Sequence, residues 1–191
     1  MAGTISIEGL DGSGKSSAIE AVDDRFEVKT AAEPYDPVLN AFIESDTTPL
    51  PGKLFAFMLD RSIRQEHHYR PTIKQDDWLV IDRYVDSTMA YQRVDLREFD
   101  MAPSIIDYLM KSFFDMPERT ILLDVPVDTA ISRISLDDLH HDRQYLKRVR
   151  AEYFTLAERY SERIEVVDGT EPMVDVHQQV VDIVAETIAD E

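Results

Sequence analysis

The run Gly9-Leu10-Asp11-Gly12-Ser13-Gly14-Lys15-Ser16 holds the first residues whose types and spacing could do chemistry. It fits G-x-x-x-x-G-K-[ST], with a β-rich segment directly before it and a helical one directly after. Glycines let the backbone curl until its N–H groups face inward at phosphate oxygens. A helix opening near Lys15 adds the positive end of its dipole. Lys15 then reaches β- and γ-phosphates, and the Ser16 hydroxyl is placed to ligate Mg²⁺. Gly9, Gly12, Ser13, Gly14, Lys15, Ser16 and Ser17 are the candidate nucleotide-binding residues.

A second constellation narrows the reaction. Leu79-Val80-Ile81-Asp82 ends an apolar run and continues as Arg83-Tyr84. Asp82 is the candidate partner of Ser16 for the metal. Hydrolysing motors usually place a Glu beside that Asp, whereas an Arg cannot polarise water but can hold a second phosphate. The guanine-reading Asn-Lys-x-Asp element is missing, since the chain's one Asn is Asn40. Transfer from ATP to a phosphorylated acceptor is therefore favoured over hydrolysis.

The elements that must position these groups alternate along the chain. Short apolar runs at Thr4–Glu8, Phe26–Thr30, Trp78–Ile81, Thr120–Val125 and Ile164–Val167 read as strands. Helical periods fall between them, at Lys15–Asp24, Leu54–Lys74, Ser87–Arg93, Pro103–Phe114, Thr129–Ile134, Gln144–Glu162 and Val174–Ala189. That alternation predicts an α/β fold, a five-stranded parallel sheet flanked by helices. Glu44–Gly52 and Ser135–Arg143 read as irregular. With 191 residues, no repeat and no linker, one domain spanning 1–191 is expected.

Composition excludes several classes. No apolar stretch approaches the ~20 residues of a membrane span. The N-terminus lacks a basic region and runs into a strand, so no signal peptide is expected. Absent cysteines rule out disulfides and suit a reducing, cytoplasmic setting. The net charge is −18, with 38 acidic residues against 20 basic ones. So negative a chain repels nucleic acid and anionic lipid. It reads either as a merely acidic surface or as adaptation to high salt, where a Debye length of about 3 Å at 1 M screens self-repulsion.

With these residues in view, the chain resembles the thymidylate kinase family over almost its whole length. The resemblance rests on Ile7-Glu8-Gly9 with the phosphate loop, on Glu33-Pro34, and on Phe57 with Arg61. Asp82-Arg83-Tyr84 followed by Ser87-Thr88-Met89-Ala90-Tyr91-Gln92 carries most of it, joined by Asp124-Val125-Pro126 and Asp168-Gly169. It implies phosphoryl transfer from ATP to dTMP with Mg²⁺, in a homodimer. Carried over, Phe57 stacks on the pyrimidine and Arg61 donates to thymine O4. Thr88 and Gln92 lie on the base side, and Tyr91 packs against the sugar. Arg83 grips the acceptor phosphate, and Asp11 orients the acceptor sugar or metal waters. Lys15, Arg83, Arg143 and Asp11 are the implied catalytic set.

A short lid is expected at 135–143. The family keeps a catalytic arginine in the loop or the lid, and because Gly12 stands at the loop position, Asp142-Arg143 nominates Arg143. Arg133 resembles the arginine that lies against adenine. Arg148 and Arg150, rivals for the lid role, are expected to face solvent. His140 and His141, being adjacent, do not make a metal site. Ala32 departs from the family's arginine before Glu33-Pro34. Core packing remains the alternative for Phe57 and Tyr91, and ion pairs with Asp60 or Asp82 for Arg61 and Arg83. A deoxynucleoside kinase, with Glu33 as base, and a non-catalytic nucleotide-binding module are the alternative functions.

Overall fold

The computed structural model describes residues 2–45, 47–97, 102–135 and 142–189. Its strands are β1 (Thr4–Glu8), β2 (Lys29–Ala32), β3 (Leu79–Asp82), β4 (Arg119–Asp124) and β5 (Ile164–Asp168). They pair in parallel in the order β2-β3-β1-β4-β5, as the alternation predicts.

A parallel sheet must be covered on both faces, and the pleat of β1 sorts its side chains accordingly. Ile5 and Ile7 join the cluster built with α1 (Lys15–Asp23) and α9 (Met173–Ala189), including Ala18, Val22, Val180 and Val184. The other cluster joins α3 (Leu50–Arg64), α5 (Val85–Arg97), α6 (Ser104–Phe113) and α8 (Arg143–Arg159) through Leu54, Met89, Ile106 and Val149. Central β1 has β3 on one side and β4 on the other, so the chain reverses its direction of travel there. Such a reversal opens a crevice at the strands' carboxyl ends, where the glycine loop and Asp82-Arg83 both lie.

Several elements depart from the expected bounds, each for a physical reason. β2 begins three residues later than Phe26. Val28 is buried in the α1/α9 cluster with Phe26 packed against it, while the register Lys29↔Leu79 to Ala32↔Asp82 sets the strand. As a mostly exposed edge strand it lacks the apolar run that locates the others. A helix outside the expected set, α2 (Pro37–Glu44), carries Val38, Leu39, Phe42 and Ile43 at helical spacing and starts where the Asp36 carboxylate accepts from Val38 N (2.9 Å) and Leu39 N (3.1 Å). The long helix starts at Leu50, so Pro51 and Gly52 lie in its first turn. It widens into a π turn at Gln65–Tyr69 and finishes as α4 (Arg70–Ile73), whose second residue, Pro71, has no N–H to give the ladder.

α5 outruns the expected Ser87–Arg93 because it is buried on nearly all sides, which hides its period. α7 (Val127–Ser132) ends before the expected lid, and α8 starts at Arg143, where the Asp142 carboxylate caps Tyr145 N at 2.8 Å. Lid residues 136–141, His140 and His141 among them, lie outside the described residues.

Candidate active site

The glycine loop is shaped by backbone that L-residues avoid. Gly12 has φ 79°, and a Cβ there would stand 2.3 Å from the Ala130 carbonyl oxygen. No side chain fits at that position, an arginine least of all. Gly9 is equally tight against the Leu123 carbonyl, at 2.5 Å. Lys15 is buried under the loop, its Nζ donating to the carbonyls of Leu10 (3.0 Å) and Gly9 (3.3 Å). Burial, and then the charge of Arg83, pull its pKa down to about 8.

β3 delivers the metal-side and acceptor-side groups together. The Ser16 hydroxyl donates to Asp82 Oδ2 at 3.3 Å, and Asp82 Oδ1 is buried without a hydrogen-bond partner. An unpartnered carboxylate oxygen beside a hydroxyl, facing a phosphate loop, fits a hard cation. Arg83 follows in the left-handed region, at φ 62°, a conformation that costs a non-glycine residue about 1 kcal/mol or more. Its guanidinium donates to Asp11 Oδ1 (2.5 Å) and Ser87 Oγ (3.3 Å), and its Cζ lies 5.5 Å from the centre of the Tyr91 ring. Its carboxylate partner is thus Asp11, not the neighbouring Asp82.

Beside the Arg83 turn lies Glu8, with no exposed surface. Its Oε1 accepts from Tyr84 N (2.8 Å), and its Oε2 accepts from the Ser87 hydroxyl and, at 3.4 Å, from Tyr153. Burial, then the charge of Asp86, push the Glu8 carboxyl up to about 7, against the hydrogen bonds and the charge of Arg83.

On the acceptor side, α3, α5 and the Glu33-Pro34 turn, which is cis, converge on a buried ion pair. Arg61 is 1% exposed. Its Nε and Nη2 donate to Glu33 Oε2 at 2.8 and 2.6 Å, and Nη2 also donates to Thr88 Oγ1 at 3.0 Å. Tyr69 donates to the other Glu33 oxygen at 3.0 Å. Arg61 therefore pairs with Glu33 rather than Asp60, whose carboxylate instead accepts from Tyr35 N and Asp36 N. Phe57 is half-buried one turn before Arg61. Gln92 is buried, with its amide donating to Asp95 at 2.9 Å.

A cavity of about 720 Å³ runs from Glu33, Arg83 and Asp11 past Lys15 and Ser16 to Arg133. Phe57, Arg61, Thr88 and Tyr91 do not line it. At its far end Arg133 donates to the Gly169 carbonyl at 3.2 Å and the Gly12 carbonyl at 3.4 Å, tying the glycine loop to the turn after β5. Ser17 donates to the Gly14 carbonyl, and His177 Nε2 lies 3.3 Å from its Oγ. Arg143 forms an ion pair with Asp128. Arg150 does not simply face solvent: it grips Asp124, at the end of β4, through two bonds of 2.6 and 2.7 Å.

The thymidylate kinase family profile matches residues 7–180. The chain belongs to the thymidylate kinase family. It is 31% identical to "Probable thymidylate kinase 1" of Saccharolobus solfataricus over 96% of this chain and 97% of that one. A probable thymidylate kinase of Natronomonas pharaonis is also 31% identical, over 87% and 89%. A crystal structure of thymidylate kinase from Ehrlichia chaffeensis shares the fold, with a TM-score of 0.74 and 23% identity, covering 96% of this chain and 98% of that one.

Within this thymidylate kinase fold, three features escaped the sequence. Glu33 and Arg61 were legible separately, but not as partners. Glu8 gave one signal, a carboxylate ending a strand that is otherwise apolar or hydroxyl-bearing. His177 gave none, because only the packing of α9 on α1 brings it beside the loop.

Proposed function

We infer that this chain transfers the γ-phosphoryl group of ATP to dTMP, giving dTDP and ADP on the route to dTTP. The observation that carries the reading is one crevice holding a phosphate loop, an Asp82-Arg83 turn and the edge of a buried Glu33–Arg61 pair, in a chain matched to the family over nearly all its length.

Loop amides and Lys15 bind the β- and γ-phosphates, Ser13 and Ser17 adding hydroxyls, while Arg133 lies against the adenine. Ser16 and Asp82 would hold Mg²⁺, which supplies neutralisation of the phosphate charge. Arg83 takes the acceptor phosphate, exchanging the Asp11 carboxylate for it, and Asp11 turns to the acceptor sugar. The nucleophile is already a phosphate oxygen, so no general base is required. That fits Glu33, both of whose oxygens accept from Arg61 and Tyr69, and it disfavours a nucleoside kinase. A lid at 135–143 brings Arg143 over the transferred group, and positioning plus charge neutralisation does the rest.

Phe57 stacks on the base, and Tyr91, with Thr88 and Gln92 nearby, crowds a 2′-hydroxyl. Arg61 Nη1, whose partner is the weakly accepting Met110 sulfur at 3.3 Å, turns to thymine O4. Cytosine would set its amino group against that donor, costing ~1–3 kcal/mol, or roughly 5–150-fold. The thymine methyl adds about 0.8 kcal/mol over uracil. The enzyme works as one domain in the cytoplasm; among the described residues no helix is long and apolar enough to cross a membrane. Its homodimer face is the stripe Phe55, Leu59 and Ile63 of α3 with Tyr108 and Phe113 of α6, all exposed.

The test is kcat/KM for a panel of nucleoside monophosphates at fixed Mg·ATP. The expected order is dTMP, then dUMP, with dCMP and UMP well behind and purines last. Comparable turnover of dCMP or dGMP would make it a broad deoxynucleotide kinase. Preference for thymidine would make it a nucleoside kinase.

A further inference from the structure

We propose that Glu8 is a positioning residue for the acceptor phosphate, acting through Arg83 at both the backbone and the guanidinium. The proposal rests on the reading of Arg83 as the ligand of that phosphate.

Two arms run from one carboxylate to Arg83. Through Oε1, Glu8 accepts from Tyr84 N, the amide directly after Arg83, at 2.8 Å. On the other side of the residue, Arg83 N donates to the Ile7 carbonyl at 3.1 Å. The left-handed turn is therefore pinned from both flanks by the end of β1. Through Oε2, Glu8 accepts from the Ser87 hydroxyl. That hydroxyl has one proton and two lone pairs. Once ionised, above pH 7, the Glu8 carboxylate only accepts, so the Ser87 proton then points at Glu8. The two lone pairs are left for Arg83 Nη1 at 3.3 Å and for the Tyr153 hydroxyl at 2.8 Å, whose one proton is shared between Ser87 and, at 3.4 Å, Glu8 Oε2. Glu8 thus sets the direction of the hydrogen bond that receives the guanidinium.

A purely structural role explains this poorly. A buried carboxylate costs desolvation, and an uncharged residue of the same shape fills the space at less cost. Two of the bonds of Glu8, those from Tyr84 N and Ser87, also go to the turn and helix start that follow Arg83, beside a longer one from Tyr153 of α8.

Glu8→Gln keeps the shape and the acceptor for Tyr84 N. Its amide nitrogen donates to Ser87, taking a lone pair that Arg83 or Tyr153 uses. Initial rates are measured at pH 8, where Glu8 is ionised, with dTMP varied at saturating Mg·ATP, then with ATP varied at saturating dTMP, alongside thermal melting. Glu8→Gln is expected to lower kcat/KM for dTMP roughly 10–100-fold, as loss of a supporting contact or a misplacement of about 1 Å does. KM for ATP should stay within about twofold, and the melting temperature should not fall. Ser87→Ala should show the same acceptor-side bias. The double variant should resemble the worse single one, because both cut the same arm.

An equal loss toward both substrates, or one that tracks a fall in melting temperature, would reduce Glu8 to a structural residue. Arg83→Ala separates the two levels. If it spares dTMP use, the Arg83 reading fails and the Glu8 proposal with it. If it cripples dTMP use while Glu8→Gln does not, the Glu8 proposal alone fails. Should Glu8→Gln not fold, Ser87→Ala decides, since an acceptor-selective loss supports the proposal and its absence overturns it.

Discussion

The Glu33–Arg61 pair makes the sharpest test of how charge is used in this fold. Both side chains are almost wholly shielded, with 4% and 1% of their surfaces exposed. Arg61 places two donors on one Glu33 oxygen, at 2.8 and 2.6 Å. Glu33→Gln keeps the size but strands the guanidinium without a counter-charge. Breaking a buried pair from one side costs ~3–5 kcal/mol. At ~2–4 °C per kcal/mol for a domain of this size, melting should fall by roughly 6–20 °C. Salt barely screens a buried pair, so the loss should be similar in 0.1 and ~1 M KCl. The companion variant, Glu33→Leu with Arg61→Met, removes both charges and should recover most of the stability while losing the preference for dTMP over dCMP. Differential scanning calorimetry and the acceptor panel read the two effects. A cost under ~1 kcal/mol for Glu33→Gln refutes the reasoning. So does a double variant as unstable as the single one, because packing rather than charge would then explain the loss.

Three further outcomes are expected. Arg143→Ala should lower kcat by roughly 10²–10⁴ with much less effect on ATP affinity, since the contact tightens in the transition state. Near wild-type rates for it, beside a crippled Arg150→Ala, would move the lid role to the arginine now held by Asp124. With a net charge of −18, melting temperature and activity should rise from ~0.1 to above ~1 M KCl. A flat or falling trend leaves an ordinary acidic surface. For Glu8, burial and then the charge of Asp86 push the folded carboxyl up to about 7 from an ordinary 4.5, against the charge of Arg83. The folded chain binds the extra proton, so this contribution to stability is fully present below pH 4.5 and is lost as pH rises through 7. Glu8→Gln should therefore gain stability over wild type at pH 8, by at most about 3 kcal/mol, and little at pH 5. An equal gain at both pH values would contradict a buried, titrating Glu8.

Much of this protein is readable without coordinates because its chemistry is contiguous. Gly9 through Ser16 act through backbone curvature and a helix end within one turn of chain, and Asp82-Arg83 follow their strand directly. Four of the five strands announce themselves as short β-rich runs, buried throughout in β1 and almost so in β3 and β4, and their alternation with helices leaves the parallel sheet as the outcome. The edge strand β2 carries no such run, and α2, although Val38, Leu39, Phe42 and Ile43 keep a helical spacing, buries none of its residues.

Partner choice is different in kind. Arg61 could have met Asp60 beside it, yet it meets Glu33, 28 residues away, because the fold carries both into the same interior. Glu8 draws its donors from Tyr84, Ser87 and Tyr153, up to 145 residues distant. Gly12 looks permissive in sequence, and its left-handed backbone with the Ala130 carbonyl close behind makes it obligatory. Side-chain type and local spacing decide what a residue is able to do. Which charge a buried group faces, and so what its burial costs, is decided only when distant segments close around it.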